Sequence, residues 1–264
     1  MIRFRMPALV LCLFIVSCQS KPSAKTEDGV AREYYSDGTI KKETQVKDTL
    51  AHGLMKQYDR DGGLMNVYSF NMGRLSGPAV SYYPNKKIEQ KMFYVDGKRE
   101  GTTLWYYSSG ELFRNIPYKA GKIEGVKTSY YKNGKIMSEA PFHNDLPGIG
   151  LKEYNEKGTL ISDDTKIIVD EDNRLFAENM YILTIKVNNP KNGLRYYLGD
   201  LEEGKYIGQY QWQLPNKDGV ATYSINLNKG GFRMETLVLT ACYKTSKSNY
   251  RVISTKYNLA IDNK

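Results

Sequence analysis

Six tyrosines stand 24 residues apart without a slip: Tyr34, Tyr58, Tyr82, Tyr106, Tyr130 and Tyr154. Tyrosine makes up 22 of the 264 residues. One further in-register tyrosine therefore has odds of about 1 in 12, and five in succession about a few per million. The register is a repeat, and it limits residues 29–162 to a stack of like units, each touching mainly its neighbours.

Other landmarks keep the same period. Gly29, Gly53, Gly77, Gly101 and Gly125 lie five residues before the tyrosines, and the sixth unit has Ile149 in that slot between Gly148 and Gly150. Four residues after each tyrosine come Gly38, Gly62, Lys86, Gly110, Gly134 and Gly158. Six after come Ile40, Leu64, Ile88, Leu112, Ile136 and Leu160, and a second turn glycine follows at Gly73, Gly97 and Gly121. Turns such as Ser36-Asp37-Gly38 and Lys132-Asn133-Gly134 need residues that tolerate positive φ. The intervening runs of six to eight residues favour Tyr, Val, Ile and Thr, which suits strands, and no 3.6-residue period appears. Each unit therefore predicts a β-hairpin. About six hairpins, or twelve strands spaced about 4.8 Å apart, give a single-layer ribbon of roughly 55–60 Å.

The unit from Gly101 to Leu112, GTTLWYYSSGEL, and its copy from Gly125 to Ile136, GVKTSYYKNGKI, resemble MORN repeats. The nearest likeness is the bacterial MORN-variant type, also labelled YwqK-family antitoxin. It covers about half of the chain, with departures at Lys86 and Ile149 and a weak first unit carrying Val46 and Thr49. The resemblance implies an elongated interaction surface. Its membrane associations imply lipid contact as one use of that surface, and its label implies antitoxin action as another.

The N-terminus adds an address. Arg3 and Arg5 precede an apolar run, Ala8 to Val16, too short for a spanning helix of about 20 residues. Ile15-Val16-Ser17-Cys18 resembles the bacterial lipobox, which implies a signal peptide over residues 1–17 and acyl chains on Cys18. Residues 18–28 read as a polar tether, and two or three acyl chains anchor stably where one does not. Gln19 after the cysteine points to the outer membrane, because an aspartate there is a retention signal in some bacteria. Loss of Arg3 and Arg5 lowers the net charge from +9 to +7. The remaining charge is mixed in sign and excludes a nucleic-acid track.

The period ends after Leu160, so residues 29–162 form the repeat array and residues 163–264 a second domain. Seven strand-like runs follow: 166–169, 180–187, 194–198, 206–213, 220–227, 236–243 and 251–259. Such short strands between turn signals predict a β-sandwich of immunoglobulin-like or fibronectin-like build. The chain is thus read as all-β. Cys242 is expected to be a buried small hydrophobe, and Trp212 a core or interface residue.

Chemistry is sparse. His52 and His143 lack partners at metal-ligand spacing and read as solvated turn residues. Asp59-Arg60-Asp61-Gly62 lacks the acid that completes a calcium loop, and Asp170-Glu171-Asp172 reads as a solvated loop. No serine elbow, Cys–His pair or phosphate loop appears, so no enzyme, cofactor or metal is expected. The periodic tyrosines and Gly38, Gly62, Gly110, Gly134 and Gly158 are expected to build the array. Tyr35, Tyr83, Tyr107 and Tyr131 point the other way in a regular strand and become the candidate interaction aromatics. The expected function is a cell-envelope lipoprotein that serves as a protein-binding scaffold. The alternatives are direct lipid or polysaccharide binding and, less favoured, antitoxin-like pairing with an exported toxin.

Overall fold

The computed structural model describes residues 25–27, 29–189, 191–209 and 211–264. The expectations for residues 1–17, for Cys18 and for most of the tether lie outside these residues.

The repeats form one 15-stranded antiparallel sheet. Its hairpins are Val30–Tyr34 with Ile40–Lys47, Leu50–Tyr58 with Leu64–Asn71, Arg74–Tyr82 with Ile88–Val95, Gly101–Tyr106 with Leu112–Lys119, and Gly125–Tyr130 with Ile136–His143. The sixth unit is cut short. Lys152–Glu153 pairs back onto Ser138 and Glu139, but its return strand shrinks to a single bridge between Tyr154 and Leu160. Five full hairpins therefore replace the expected six, because the chain leaves the ribbon at this point to enter the second domain.

Two turn types alternate, and each explains a sequence landmark. Inside a unit the Tyr35 carbonyl accepts from Gly38 N at 3.0 Å, and the pairing slips by one residue at the tyrosine. The slip recurs at Tyr58, Tyr82 and Tyr130, as a bulge whose turn residue (Gly62, Lys86 or Gly134) sits at positive φ. Between units, two-residue turns have positive φ at both positions, as at Met72-Gly73, Asp96-Gly97 and Ala120-Gly121. That is the twist a tight hairpin prefers. Gly125 shows why the unit opens on glycine: its φ is +109°, and a Cβ there would lie 3.2 Å from Pro117 Cγ.

The ribbon buries one face by setting large side chains over small ones. Ala79, Met92, Thr103 and Ile116 run across successive strands, Ala140 follows one strand beyond with Lys127 between, and the five are all buried. The opposite face is open: Leu54, Phe93 and Val126 are 42%, 46% and 49% exposed.

The second domain is a two-sheet sandwich. Ile167–Arg174, Met180–Val187, Val220–Asn226 and Asn216–Lys217 form one sheet; Trp212–Leu214, Arg195–Leu198, Phe232–Lys244 and Tyr250–Asp262 form the other. Leu183, Ile185 and Ile225 of the first pack on Tyr196, Leu239, Tyr243 and Leu259 of the second. Cys242 is buried and unpaired on the outer side of the second sheet, against Ile207 and Val252.

Three local expectations are corrected. Asp170-Glu171-Asp172 lies within an edge strand, where Glu171 accepts hydrogen bonds from the hydroxyls of Tyr181 and Tyr257. Trp212 is not a core residue: it is 56% exposed, edge-on to Tyr223 at 5.9 Å, which leaves the interface half of the expectation standing. The run 206–213 is strand, among its described residues, only from Trp212 onward. Its first half is a strap that bonds the ribbon, with Ile207 N donating to the Pro147 carbonyl at 3.1 Å and Ile149 N donating to the Lys205 carbonyl at 3.0 Å. Ile149 replaces the repeat glycine at the place where the ribbon stops stacking on itself and begins to bind the sandwich.

Lys86 occupies a turn-glycine slot at φ +65°. A side chain in that conformation is strained, so Lys86→Gly is expected to stabilise the protein by about 0.5–1 kcal/mol, less than the strain itself because glycine also gains entropy when unfolded. Denaturant titration of the two proteins checks the sign.

Candidate functional site

The periodic tyrosines close the first strand of each hairpin and are half-buried. Tyr58 donates to Glu43 Oε2 and Tyr154 to Glu139 Oε2, both at 2.9 Å. Lys91 Nζ lies 5.8 Å from the centre of the Tyr106 ring. These tyrosines pack along the ladder, and Gly38, Gly62, Gly110, Gly134 and Gly158 hold its turns at positive φ.

The tyrosines that follow them were expected to stand outward as interaction groups. Their hydroxyls instead tie each unit to the next. Tyr35 donates to the Tyr58 carbonyl at 2.8 Å, and Tyr83, Tyr107 and Tyr131 donate to the carbonyls of Tyr106, Tyr130 and Tyr154 at 2.7 Å. Cations cover part of the rings: Arg60 over Tyr35, Lys132 over Tyr107 and Lys247 over Tyr131, at 4.9, 5.6 and 5.1 Å. Where a unit has no such tyrosine, its substitute serves the local turn. Asp59 accepts from the backbone N of Asp61 and Gly63, and Asn155 from that of Lys157 and Thr159. Asn85 and Asn133 add a parallel set of inter-unit bonds to the carbonyls of Ser108 and Glu156.

Two surfaces of the ribbon are then left for contact. One is the open face, where cross-strand pairing sets Leu54 by Ser69, Pro78 by Phe93, Thr102 by Pro117 and Val126 by Pro141. The other lies on the packed face, which the sequence reading missed. Arg99, Arg114 and Lys127 lie there on aromatic supports. Arg99 donates to the hydroxyls of Tyr94 and Tyr118 at 3.4 and 3.0 Å and stacks on the Tyr118 ring at 5.2 Å. Arg114 lies over Phe113 at 4.6 Å and donates to Ser129 Oγ at 3.2 Å. Lys127 lies over Phe142 at 5.0 Å. Among the described residues none of the three is ion-paired with a carboxylate. Burial, and then the charge of Arg114, pull the Lys127 ammonium down to about 8.

The last repeat is bonded to the sandwich by buried polar groups. Glu153, only 4% exposed, accepts from Thr245 Oγ1 and Asn249 Nδ2, both at 2.7 Å. Arg251 donates to the Leu151 carbonyl at 3.2 Å and lies 3.1 Å from Asp163 Oδ2, which also accepts from the Tyr243 hydroxyl at 2.8 Å. Lys247 Nζ reaches the Tyr131 hydroxyl at 2.6 Å.

His143 belongs to this junction and is not a solvated turn residue. Its Nδ1 is 2.9 Å from Glu124 Oε1, its Nε2 is 3.6 Å from Glu202, and its ring lies 5.3 Å from Tyr206. The hydrogen bond to Glu124 holds the imidazolium and raises the His143 pKa above its ordinary value; the charges of Glu124, Glu203 and Glu202 add to this. Among the described residues no His, Cys, Asp and Glu group is arranged to hold a metal ion, and no helix is long and apolar enough to cross a membrane.

A raised histidine pKa stabilises the fold fully below the unfolded value of about 6.5, and that contribution fades as pH rises through the higher folded value. Thermal stability is therefore expected to fall from about pH 6.5 upward. Glu124→Gln is expected to flatten the slope in a series of melting curves; an unchanged slope would show that His143 does not couple to the junction.

Comparison with known proteins agrees with this architecture. Four segments, residues 27–48, 75–96, 99–120 and 123–144, match the family described as MORN repeat variant. They cover about a third of the chain, and the unmatched hairpin Leu50–Tyr58 with Leu64–Asn71 fills the gap in their register. No curated protein matches the chain. The ribbon thus contains four segments similar to MORN repeat variants, and the family match does not extend into the β-sandwich.

Proposed function

We propose that this protein is a lipid-anchored component of the bacterial cell envelope, and that its ribbon is a non-enzymatic scaffold for another protein. The observation that carries the binding role is the open ribbon face. Leu54, Phe93 and Val126 stand in one line across the hairpins, with Pro78 and Pro117 between them, and the repeats cannot cover that line themselves. Apolar groups aligned on a rigid sheet favour association, since covering them removes apolar surface from water with little loss of conformational freedom. The junction around Glu153 and Arg251 supports the same reading, because it fixes the ribbon to the sandwich so that both present one surface. The anchor is supported by Ile15-Val16-Ser17-Cys18 and the polar residues after it.

A photoreactive residue at position 93 or 126 is expected to capture one dominant protein in cells. Phe93→Ala combined with Val126→Ala is expected to remove most of that capture while the melting temperature stays within about 2–3 °C. Recovery of lipid or glycan alone would replace the scaffold with direct surface binding. Cys18→Ala is expected to move the protein from the membrane fraction to the soluble one, and membrane retention of that variant would overturn the anchor.

A further inference from the structure

Internal comparison of the repeats isolates three positions. The slot of Arg99 holds Ala51, Leu75, Ile123 and Pro147 in other units, and Glu27 at the start of the first. The slot of Lys127 holds Ala31, Met55, Ala79, Thr103 and Leu151. The slot of Arg114 holds Asn66, Gln90, Ser138 and Ser162, with a cation elsewhere only in the first unit, at Lys42. Away from the first unit the ribbon fills these places with apolar or neutral side chains, and the fourth and fifth units depart from that three times in the same direction. Stacking brings the departures together. Strand pairing aligns Arg114 with Ser129 and Trp105, with Lys127 one diagonal step away across the adjacent strands. Tyr118 bridges the guanidinium of Arg99 to the same face.

Such a cluster weakens the folded ribbon. Half-buried like charges repel each other and lose hydration, and here no carboxylate offsets the cost. Cation–π contact with Phe113, Tyr118 and Phe142 returns only part of it, about 0.5–2 kcal/mol per pair. The missing counter-charge is what a ligand would bring.

We infer that Arg99, Arg114 and Lys127 form a binding site for an extended acidic segment of a partner protein, with carboxylates at alternate positions. The spacing fits: a diagonal pair on neighbouring strands is about 7–8 Å apart, and alternate residues of an extended chain lie about 6.8 Å apart on one side. Guanidinium groups receive carboxylates by paired hydrogen bonds, and the aromatic floor holds the cations in place while excluding water. A membrane fits less well. The cations are recessed among rings, and carboxylates such as the half-buried Glu100 and the exposed Glu111 stand in the same units, so a flat anionic surface meets mixed charge. This inference rests on the protein-binding reading above and names the chemistry of the partner.

Trp105 shares a row with Arg114 and reports on the site once the other tryptophan is removed by Trp212→Phe. A synthetic peptide with glutamate at alternate positions is expected to quench Trp105, with binding that weakens in high salt. Its glutamine counterpart is expected not to bind. Arg114→Gln and Lys127→Gln are each expected to weaken binding by about tenfold or more. Lys127→Met is expected to abolish binding while melting at the same temperature as the parent or higher, which separates loss of a site from loss of folding. Equal binding of the two peptides, or no loss in the Arg114→Gln, Lys127→Gln double variant, would overturn the inference. Vesicles containing phosphatidylglycerol that displace the peptide and depend on the same two cations would also overturn it, in favour of lipid. Capture of a protein through position 93 without glutamate-peptide binding would sink this site alone and leave the scaffold standing.

Discussion

Everything in the ribbon depends on how one hairpin is held on the next. A single-layer sheet has no second layer to lock it, and backbone ladders alone tolerate slippage in register. Here the register is fixed at both margins. At one margin a tyrosine hydroxyl crosses to a carbonyl in the next unit, as Tyr83 does to Tyr106 and Tyr107 to Tyr130. At the other margin the turns between units follow one another by backbone bonds, Gly97 N to the Leu75 carbonyl and Gly121 N to the Arg99 carbonyl, both at 2.8 Å. Each such bond is modest, about 0.5–1.5 kcal/mol. Recurring at both margins of unit after unit, they make the array one object and fix the spacing of anything displayed on it.

An array of this kind must end somewhere, and an open strand edge invites pairing with other chains. The sandwich closes the C-terminal end. It does so with polar chemistry more than apolar area: Glu153 is buried under Thr245 and Asn249, Asp163 sits between Arg251 and Tyr243, and the strap from Gly199 to Gln209 bonds Pro147 and Ile149. Buried bonds of this sort are directional, so they specify one orientation of the two parts where an oily contact would allow several. The open face and the sandwich are held in register with each other as a result.

Much of this was legible in the chain, because a β-hairpin writes itself locally. Turn residues need positive φ and strands need β-branched or aromatic side chains, so the 24-residue period showed both hairpin and stack before any coordinates. Three things were not legible, for a common reason. The role of Tyr35, Tyr83, Tyr107 and Tyr131 depends on a carbonyl 23 residues ahead, which alternation along one strand does not reveal. His143 acquires Glu202 and Glu203 only because the strap folds back some 60 residues later. The run 206–213 has strand composition, but its groups are taken by the ribbon before a sheet can use them. Local propensity fixes elements; partners far along the chain decide what those elements do.

The same contrast tells structural positions from functional ones in a repeat protein. Positions that build the stack must be filled alike in every unit, because every unit faces the same neighbours. A residue that breaks the pattern either marks an end of the array, as Ile149 does, or answers to something outside it. Lys86 is a departure of a third kind: it strains one turn, faces solvent and gathers no companions. Arg99, Arg114 and Lys127 differ from both. They lie in the middle of the array, share a sign and stand on one face, where Arg114 and Lys127 lose hydration and Arg114 repels Lys127. Drift in separate strands gives no reason for three such changes to meet on one face without an acid among them. A ligand that supplies the acid does, and the cost to the ribbon is then recovered when that ligand binds.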